Sequence, residues 1–346
     1  MKRFTALTMA ALMVFAVFAG VASAGDTVEI RSSVTDSAAK TWDANGFAGF
    51  WLDLDTGEFS ENLTLTVTGG DTILEDTGVV YEAVPVEDQD PEYEFTVDAT
   101  TSNPYNYSKI GFLAEEYFVV ADDVATLSKI LMDDDSSYTM RTGESLELGE
   151  GYALSPQQID VDGNKVWLEL TKDGEFVDDK IISTDVDEEY KKTWYYQMDL
   201  NDNDDVDVIM IHIDEVFQGQ VDSLCVIDGI FQISDDPLVL EEDDEFNELT
   251  ITGLGSTIVL TNDDNELDMP DDDTLALTET IGIRASEDTD RWYIYTEKTE
   301  PGTYEIRSSV TDSAAKTWDA NGFAGFWLDL DTGEFSENLT LTVTGG

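Results

Sequence analysis

Apolar residues recur at every second position along most of the chain, and Gly or Asx pairs punctuate the runs, a pattern that predicts many short β-strands joined by tight turns. Leu63, Leu65 and Val67 share one face of such a strand, and the run at 47–54 is expected to join it through a turn at Asp55, Thr56, Gly57 and Glu58. Residues 158–161 and 165–170 flank Asp162 and Gly163, a pair suited to a hairpin turn because it tolerates positive φ. Within 205–213, Val206, Val208, Met210 and His212 alternate with Asp207, Ile209, Ile211 and Ile213. The stretches 220–233, 247–260, 274–284 and 291–296 repeat the theme, and helical turns are expected only within 115–123 and 122–130. The fold class is all-β, and strands this short at this spacing argue for β-sandwiches.

Residues 29–70 and 305–346 are the same sequence, letter for letter, 42 residues long and offset by 276. That offset is too long for a supersecondary repeat and suits a module of two small domains. The expected organisation is a signal peptide at 1–24, a first β-sandwich subdomain at 25–138 and a second at 139–300. Residues 301–346 then begin a second, incomplete module. The run Asp133, Asp134, Asp135, Ser136 and Ser137 marks the expected internal boundary, and a return of 238–300 to the first sandwich stays open. The second copy holds about three strands, too few to enclose a core, so it is expected either to stay loosely ordered or to compete for the place of 29–70. Large modules in tandem point to an array or a surface coat before they point to an enzyme.

Lys2 and Arg3, the apolar run at 6–21 and the small residues Ala22, Ser23 and Ala24 match a cleavable secretory signal, with Gly25 the first mature residue. No second stretch is long and apolar enough to span a bilayer, so no membrane span is expected in the mature chain. Seventy-six acidic against seventeen basic residues give a formal charge of −59, or −61 once Lys2 and Arg3 are removed. Such a surface repels nucleic acid and anionic lipid and gathers cations. Hydrophobic residues at 41% and aromatics at 10% still provide for a core, so the acidity reads as a carboxylate coat on a folded protein.

The sharpest chemical constellation is Asp199, Asn201, Asn203, Asp205 and Asp207, oxygen ligands at alternate positions of the kind a hard cation such as Ca²⁺ takes. An EF-hand is excluded, because Asp204 stands where the loop needs Gly and Met210 where it needs Glu, which leaves a looser cation loop or a solvated turn. Cofactors are otherwise expected to be none. His212 is the sole histidine, so a zinc cluster is excluded and a strand-packing role is expected; Cys225, the sole cysteine, reads as a buried small hydrophobe. No nucleophile elbow or phosphate loop occurs, and no catalytic residue is assigned. Carboxylates are too numerous for any pair of them to identify a glycosidase. Trp42, Trp51, Trp167, Trp194 and Trp292 fall on or beside strand patterns, where core filling competes with sugar binding. Sequons at Asn62, Asn106 and Asn338 are candidate N-glycosylation sites.

Five segments, IGFLAEEYF at 110–118, GEGYAL at 149–154, IDVDGNKVWLEL at 159–170, DGEFVDD at 173–179 and VFQGQVD at 216–222, resemble the tandem duplication domain of surface-layer (S-layer) proteins from methanogenic archaea. The likeness spreads over most of 29–300. It implies paired modules of β-sandwich subdomains after a signal peptide, forming a porous, acidic lattice on the cell, with self as the main partner and cell-surface glycans as a further one. It also implies that 305 opens the second module; the rest of that module, and the stalk and membrane anchor usual in the family, do not appear in this sequence. The expected function is a non-enzymatic structural component of an archaeal S-layer, and the alternative is a secreted carbohydrate-binding or adhesion protein.

Overall fold

The computed structural model describes residues 20–22, 27–69, 71–96, 105–288, 290–299, 302–304, 306–311 and 313–343. The expected signal peptide lies outside these, apart from Gly20–Ala22, which pairs with Gly302–Tyr304. The described chain is all-β: its sheets are antiparallel throughout, and its helical content is three short 3₁₀ turns. Of the helical turns expected at 115–123 and 122–130, only the 3₁₀ turn Val120–Asp122 forms. Strands Glu115–Val119 and Thr126–Asp134 stand there instead, joined through the 3₁₀ turn Val120–Asp122. Tyr117 and Val119 enter one core while Phe118 and Val120 enter another, so this strand is apolar on both faces and loses the alternation that marks a half-buried strand.

Two cores organise the molecule. The first is enclosed by an eight-stranded sheet and a four-stranded one. The larger runs Glu245–Phe246, Leu249–Leu254, Ile258–Thr261, Val79–Ala83, Glu61–Thr68, Thr72–Ile73 and Leu267–Asp268, with Ala39–Asp43 also paired to Glu61–Thr68. The smaller runs Val28–Arg31, Trp292–Lys298, Ile281–Ala285 and Thr274–Ala276. Trp42 and Trp292 meet edge to face across this core, with ring centroids 5.2 Å apart. Leu63 and Leu65 point into it as the alternation requires, whereas residues 47–54 form turns with a single bridge from Leu52 to Phe59.

The second core lies under Thr193–Leu200, Asn203–Gln218 and Ser223–Ile233 and is covered by the sheet Leu146–Glu147, Tyr152–Asp160, Lys165–Lys172 and Glu175–Ser183. Val208 to Ile213 are all buried, so the middle of Asn203–Gln218 is covered on both faces despite its alternating neighbours. In the hairpin between Tyr152–Asp160 and Lys165–Lys172, positive φ falls on Asn164 at 50°, not on Gly163, because the pairing of Asp160 with Lys165 leaves a four-residue loop.

The cores do not divide at 138/139. Buried side chains from 30–127 and from 240–294 share the first core, while those of the second run from 95 to 233, so the second sandwich is inserted into the first. The strand Thr126–Asp134 belongs to both. Its first residues pair with Glu115–Val119 and Leu238–Val239, and its last pair with Ser223–Ile233. The acidic run at 133–135 is thus no linker at its start: Asp133 and Asp134 lie in register with Phe231 and Ile230. A carboxylate on the solvent side of a strand reads, from sequence alone, the same as one in a loop.

The described residues of the second copy form a hairpin of their own and do not take the place of 29–70. Ala315–Asp319 and Asn338–Thr342 pair in the register of Ala39–Asp43 on Glu61–Thr68, with Ala315 opposite Thr342 as Ala39 is opposite Thr66. Its apolar face lacks the cover that the first copy has: Leu339 is 39% exposed where Leu63 is fully buried.

Candidate functional site

Three groups of polar side chains stand out, and none assembles a catalytic constellation. The first is a buried carboxylate. Glu61 Oε1 accepts hydrogen bonds from Tyr81 Oη and from the amide of Ala114, each at 2.8 Å, and Tyr81 Oη accepts from the amide of Leu113 at 2.8 Å. Leu113 and Ala114, with φ of 52° and 64°, make the two-residue turn between Tyr107–Phe112 and Glu115–Val119. Such a turn ordinarily requires Asn-Gly or Gly-Gly. Here the strain of two non-glycine residues is held by Glu61 and Tyr81 from below and by Thr280 Oγ1, which donates to Leu113 O at 2.6 Å. Burial pushes the Glu61 carboxyl up to about 7 against the pull of these donors. Its Oε2 is buried without a hydrogen-bond partner and lies 2.3 Å from where a side chain on Gly111 would begin. This arrangement clamps a turn. Its residues left no motif in the sequence, because the clamp joins three separate strands.

The second group surrounds His212, which is buried as its strand pattern implied. Asp228 Oδ1 lies 2.6 Å and Tyr93 Oη 2.8 Å from Nδ1, Glu189 Oε2 lies 3.3 Å from Nε2, and the Tyr93 ring stacks on the imidazole at 4.8 Å. Gly229, opposite His212 in the sheet, makes room for that ring. No serine or cysteine is among these three partners of His212. Cys225 lies opposite Val216, four residues further along the strand and about 13 Å away at 3.3 Å per residue. Cys225 is fully buried, and burial pushes its thiol up to about 11, the opposite of what an attacking thiolate needs.

The third group is the expected cation loop. Leu200 pairs with Asn203, so Asn201 and Asp202 form a tight turn rather than a wrapped loop. Asp199 Oδ1 accepts from the amide of Asp205 at 3.1 Å, and Asp207 Oδ1 accepts from Gln197 Nε2 at 2.8 Å. Burial raises the Asp207 carboxyl, Asn201 Nδ2 reaches Thr126 Oγ1 at 3.3 Å, and Asn203 Nδ2 is buried without a partner. The three carboxylates do not converge on a point. An extended hairpin spreads alternate ligands along its length, whereas a cation needs them wrapped about itself. Among the described residues, carboxylate oxygens converge at Asp76, Asp263 and Asp264, within 4.8 Å of one another and all exposed.

The sequons differ in setting. Asn106 is exposed and donates to Asp88 Oδ1 at 2.9 Å; Asn62 is half-buried in mid-sheet between Asp43 and Glu82; Asn338 is exposed. Trp42, Trp194 and Trp292 are buried, and Trp51 lies under the Lys109 ammonium at 4.7 Å. Trp167 is 40% exposed and donates to Asp179 Oδ2 at 2.8 Å, so aromatic residues serve mainly as core. No helix among the described residues is long and apolar enough to cross a membrane.

Comparison with known proteins identifies relatives along the whole of this two-core chain. The family model described as S-layer protein matches residues 31–287, a span that holds the second core and all of the first except Ile30, Trp292 and Ile294. The chain is 41% identical over 367 residues to the Major S-layer protein of Methanosarcina mazei and 42% identical over 372 residues to that of Methanosarcina acetivorans. Each alignment takes in 100% of this chain and 54% of the relative, so the chain spans about half the length of these curated relatives. An S-layer protein of Methanococcus voltae is 29% identical over 135 residues, 36% of this chain and 22% of that protein. This chain belongs to the S-layer protein family.

Proposed function

We propose that this chain is a non-enzymatic structural unit of an archaeal cell-surface lattice, built from copies of itself and carrying carboxylates on its exposed faces. The observation that carries the reading is likeness along the whole chain, through both sandwiches, to proteins named Major S-layer protein. The buried polar groups support it, since their hydrogen bonds clamp turns and strands. In this reading residues 1–24 direct export, residues 29–298 form one module of two nested sandwiches, and 305–346 open the next. Asn106 is the sequon best placed to carry a glycan. Cations condense diffusely on the carboxylate coat, with Asp76, Asp263 and Asp264 among the places they gather. An adhesin reading is not favoured, because three of the five tryptophans offered for sugar binding are interior.

Modules that tile a surface line its gaps with carboxylates, and the field in such an aperture favours cations and excludes anionic polymers. The test is reconstitution of the exported protein in the presence of divalent cations, followed by electron microscopy and dye permeation. Ordered two-dimensional arrays that pass a cationic dye faster than an anionic dye of equal size support the proposal. Protein that stays monomeric under all ionic conditions, or sheets that pass both dyes equally, contradicts it.

A further inference from the structure

The two identical segments touch each other, and they do so reciprocally. Arg31 Nη2 donates to Ala320 O at 2.5 Å and to Phe323 O at 3.4 Å. Subtracting the 276-residue offset, Ala320 and Phe323 correspond to Ala44 and Phe47, and these are the residues that Arg307, the counterpart of Arg31, engages: Nη1 donates to Ala44 O at 2.5 Å and Nη2 to Phe47 O at 3.4 Å. The main chains repeat the exchange. The amide of Val34 donates to Asn321 O at 2.9 Å, and its counterpart Val310 donates to Asn45 O at 3.0 Å. A contact in which residue i meets j while j meets i is isologous, the mark of a two-fold axis.

Each copy is pre-shaped for this contact by bonds within itself. The Trp42 indole donates to Ser33 O at 3.0 Å and the Trp318 indole to Ser309 O at 2.8 Å. The amides of Asn45 and Asn321 are each held at 2.9 Å by Asp43 and Asp319, and Phe47 meets Phe50 as Phe323 meets Phe326, edge to face. The second copy therefore reproduces this local shape while much of its strand face is open. Ala320 is fully buried and Phe323 nearly so, as Ala44 and Phe47 are, although Trp327 is 57% exposed. Across the contact both arginines donate to main-chain carbonyls, acceptors that do not titrate, and Arg31 also lies over the Tyr293 ring at 5.6 Å.

The linker geometry also fits. Val28 pairs with Lys298, so the first and last strands of the module are neighbours and its ends lie together. The few residues after Lys298 suffice to place the next copy of the segment beside the first.

We propose that residues 31–50 and 307–326 form the joint between consecutive modules, a self-complementary face that pairs two modules of one chain about a local two-fold axis. Because the face is its own partner, one pairing saturates it, so lattice contacts use other surfaces. The inference rests on reading the 276-residue unit as a repeating module and not on lattice formation, so its test is made in solution, where failure of the lattice reading has no influence.

The experiment is amide hydrogen exchange on the full chain, as wild type, R307A and R31A, with sedimentation velocity on the same samples. Arg307 donates to carbonyls of the first core at Ala44 and Phe47, which lie outside the strand Glu61–Thr68, so Leu63 and Leu65 within that strand serve as the internal reference. The joint predicts that R307A speeds exchange at both Val34 and Val310 by at least tenfold while Leu63 and Leu65 stay protected, and that R31A affects the same two amides. Wild type should sediment as a monomer with both amides protected. Unchanged exchange at Val34 and Val310 in R307A overturns the proposal, as does absence of protection in wild type. So does protection that appears only in a dimer and is lost on dilution, which would place the pairing between chains. If R31A unfolds the first core, R307A alone decides.

Discussion

Glu61 shows how one residue can couple fold to pH. Its carboxyl, raised from 4.5 to about 7 mainly by burial, is held in its protonated form more strongly by the folded state than by the unfolded one. The resulting stability is fully present below the unfolded value and is lost as pH rises through the folded value. Between pH 5 and pH 8 the loss should be on the order of 3 kcal/mol. Comparing urea unfolding of wild type and E61Q at both pH values isolates this group from the other carboxylates, and the difference between the two proteins should change by that amount in favour of E61Q as pH rises. A constant difference would mean that Glu61 does not titrate in this range. A G111A variant drives a methyl group into Glu61 Oε2, a carboxylate already held by Tyr81 and the Ala114 amide, and should lose about 2 kcal/mol or more. Nothing local in the sequence distinguishes Glu61 from seventy-five other acidic residues; only the face of its strand does, and Glu61 shares that face with Leu63 and Leu65.

At the scale of elements, the duplicated hairpin is an internal control. Leu63 and Leu339 occupy the same sequence and the same register, yet one is fully buried and the other 39% exposed. Leu63→Ala should cost about 2–5 kcal/mol and Leu339→Ala no more than about 0.5 kcal/mol, measured by thermal unfolding of the full chain. Equal effects would show that the second copy has found an equivalent core. The sequons follow the same logic. Asn106, at the exposed start of a strand, should carry glycan at higher occupancy than Asn62, whose neighbours Asp43 and Glu82 are strand-paired on either side. Glycopeptide mass spectrometry of protein from an archaeal host would reverse this ranking if Asn62 were modified before its sheet closed.

For the whole molecule, surplus charge dominates. A compact chain of this length has a radius of gyration of about 20 Å, and the screening length is roughly 30 Å at 0.01 M salt but roughly 3 Å at 1 M. At low salt most of the 59 surplus negative charges therefore repel one another across the whole body, and at high salt only neighbours do. The melting temperature should climb as NaCl rises from 10 mM to 1 M, and a flat profile would show that the carboxylates are already paired or neutralised. Adding millimolar Ca²⁺ at fixed ionic strength separates diffuse screening from local binding. If D263N abolishes a Ca²⁺-specific gain and D205N does not, the cations gather at Asp76, Asp263 and Asp264; the reverse result restores the loop at 199–207.

Strand alternation at Leu63, Leu65 and Val67, the single-histidine and single-cysteine arithmetic and the 276-residue repeat are properties of the chain's order, and they carry the all-β class and the modular reading without a structure. The resemblance in five short segments carried the family, because their combined order is specific even where each alone is not. The nesting of one sandwich inside the other was open in the sequence, since 238–300 alternates equally well against either core, and only the pairing of Ile258–Thr261 with Val79–Ala83 assigns it. The run at 115–123 was misread because a strand buried on both faces has no period of two. The ligand set at 199–207 shows a related limit: spacing along a chain states which residues share a face, but convergence on a point depends on how the backbone turns. The joint between the copies belongs wholly to tertiary structure. Identity of two segments is visible in their letters, but that Arg31 should reach the carbonyls of the other copy depends on where the last strand of the module leaves the chain.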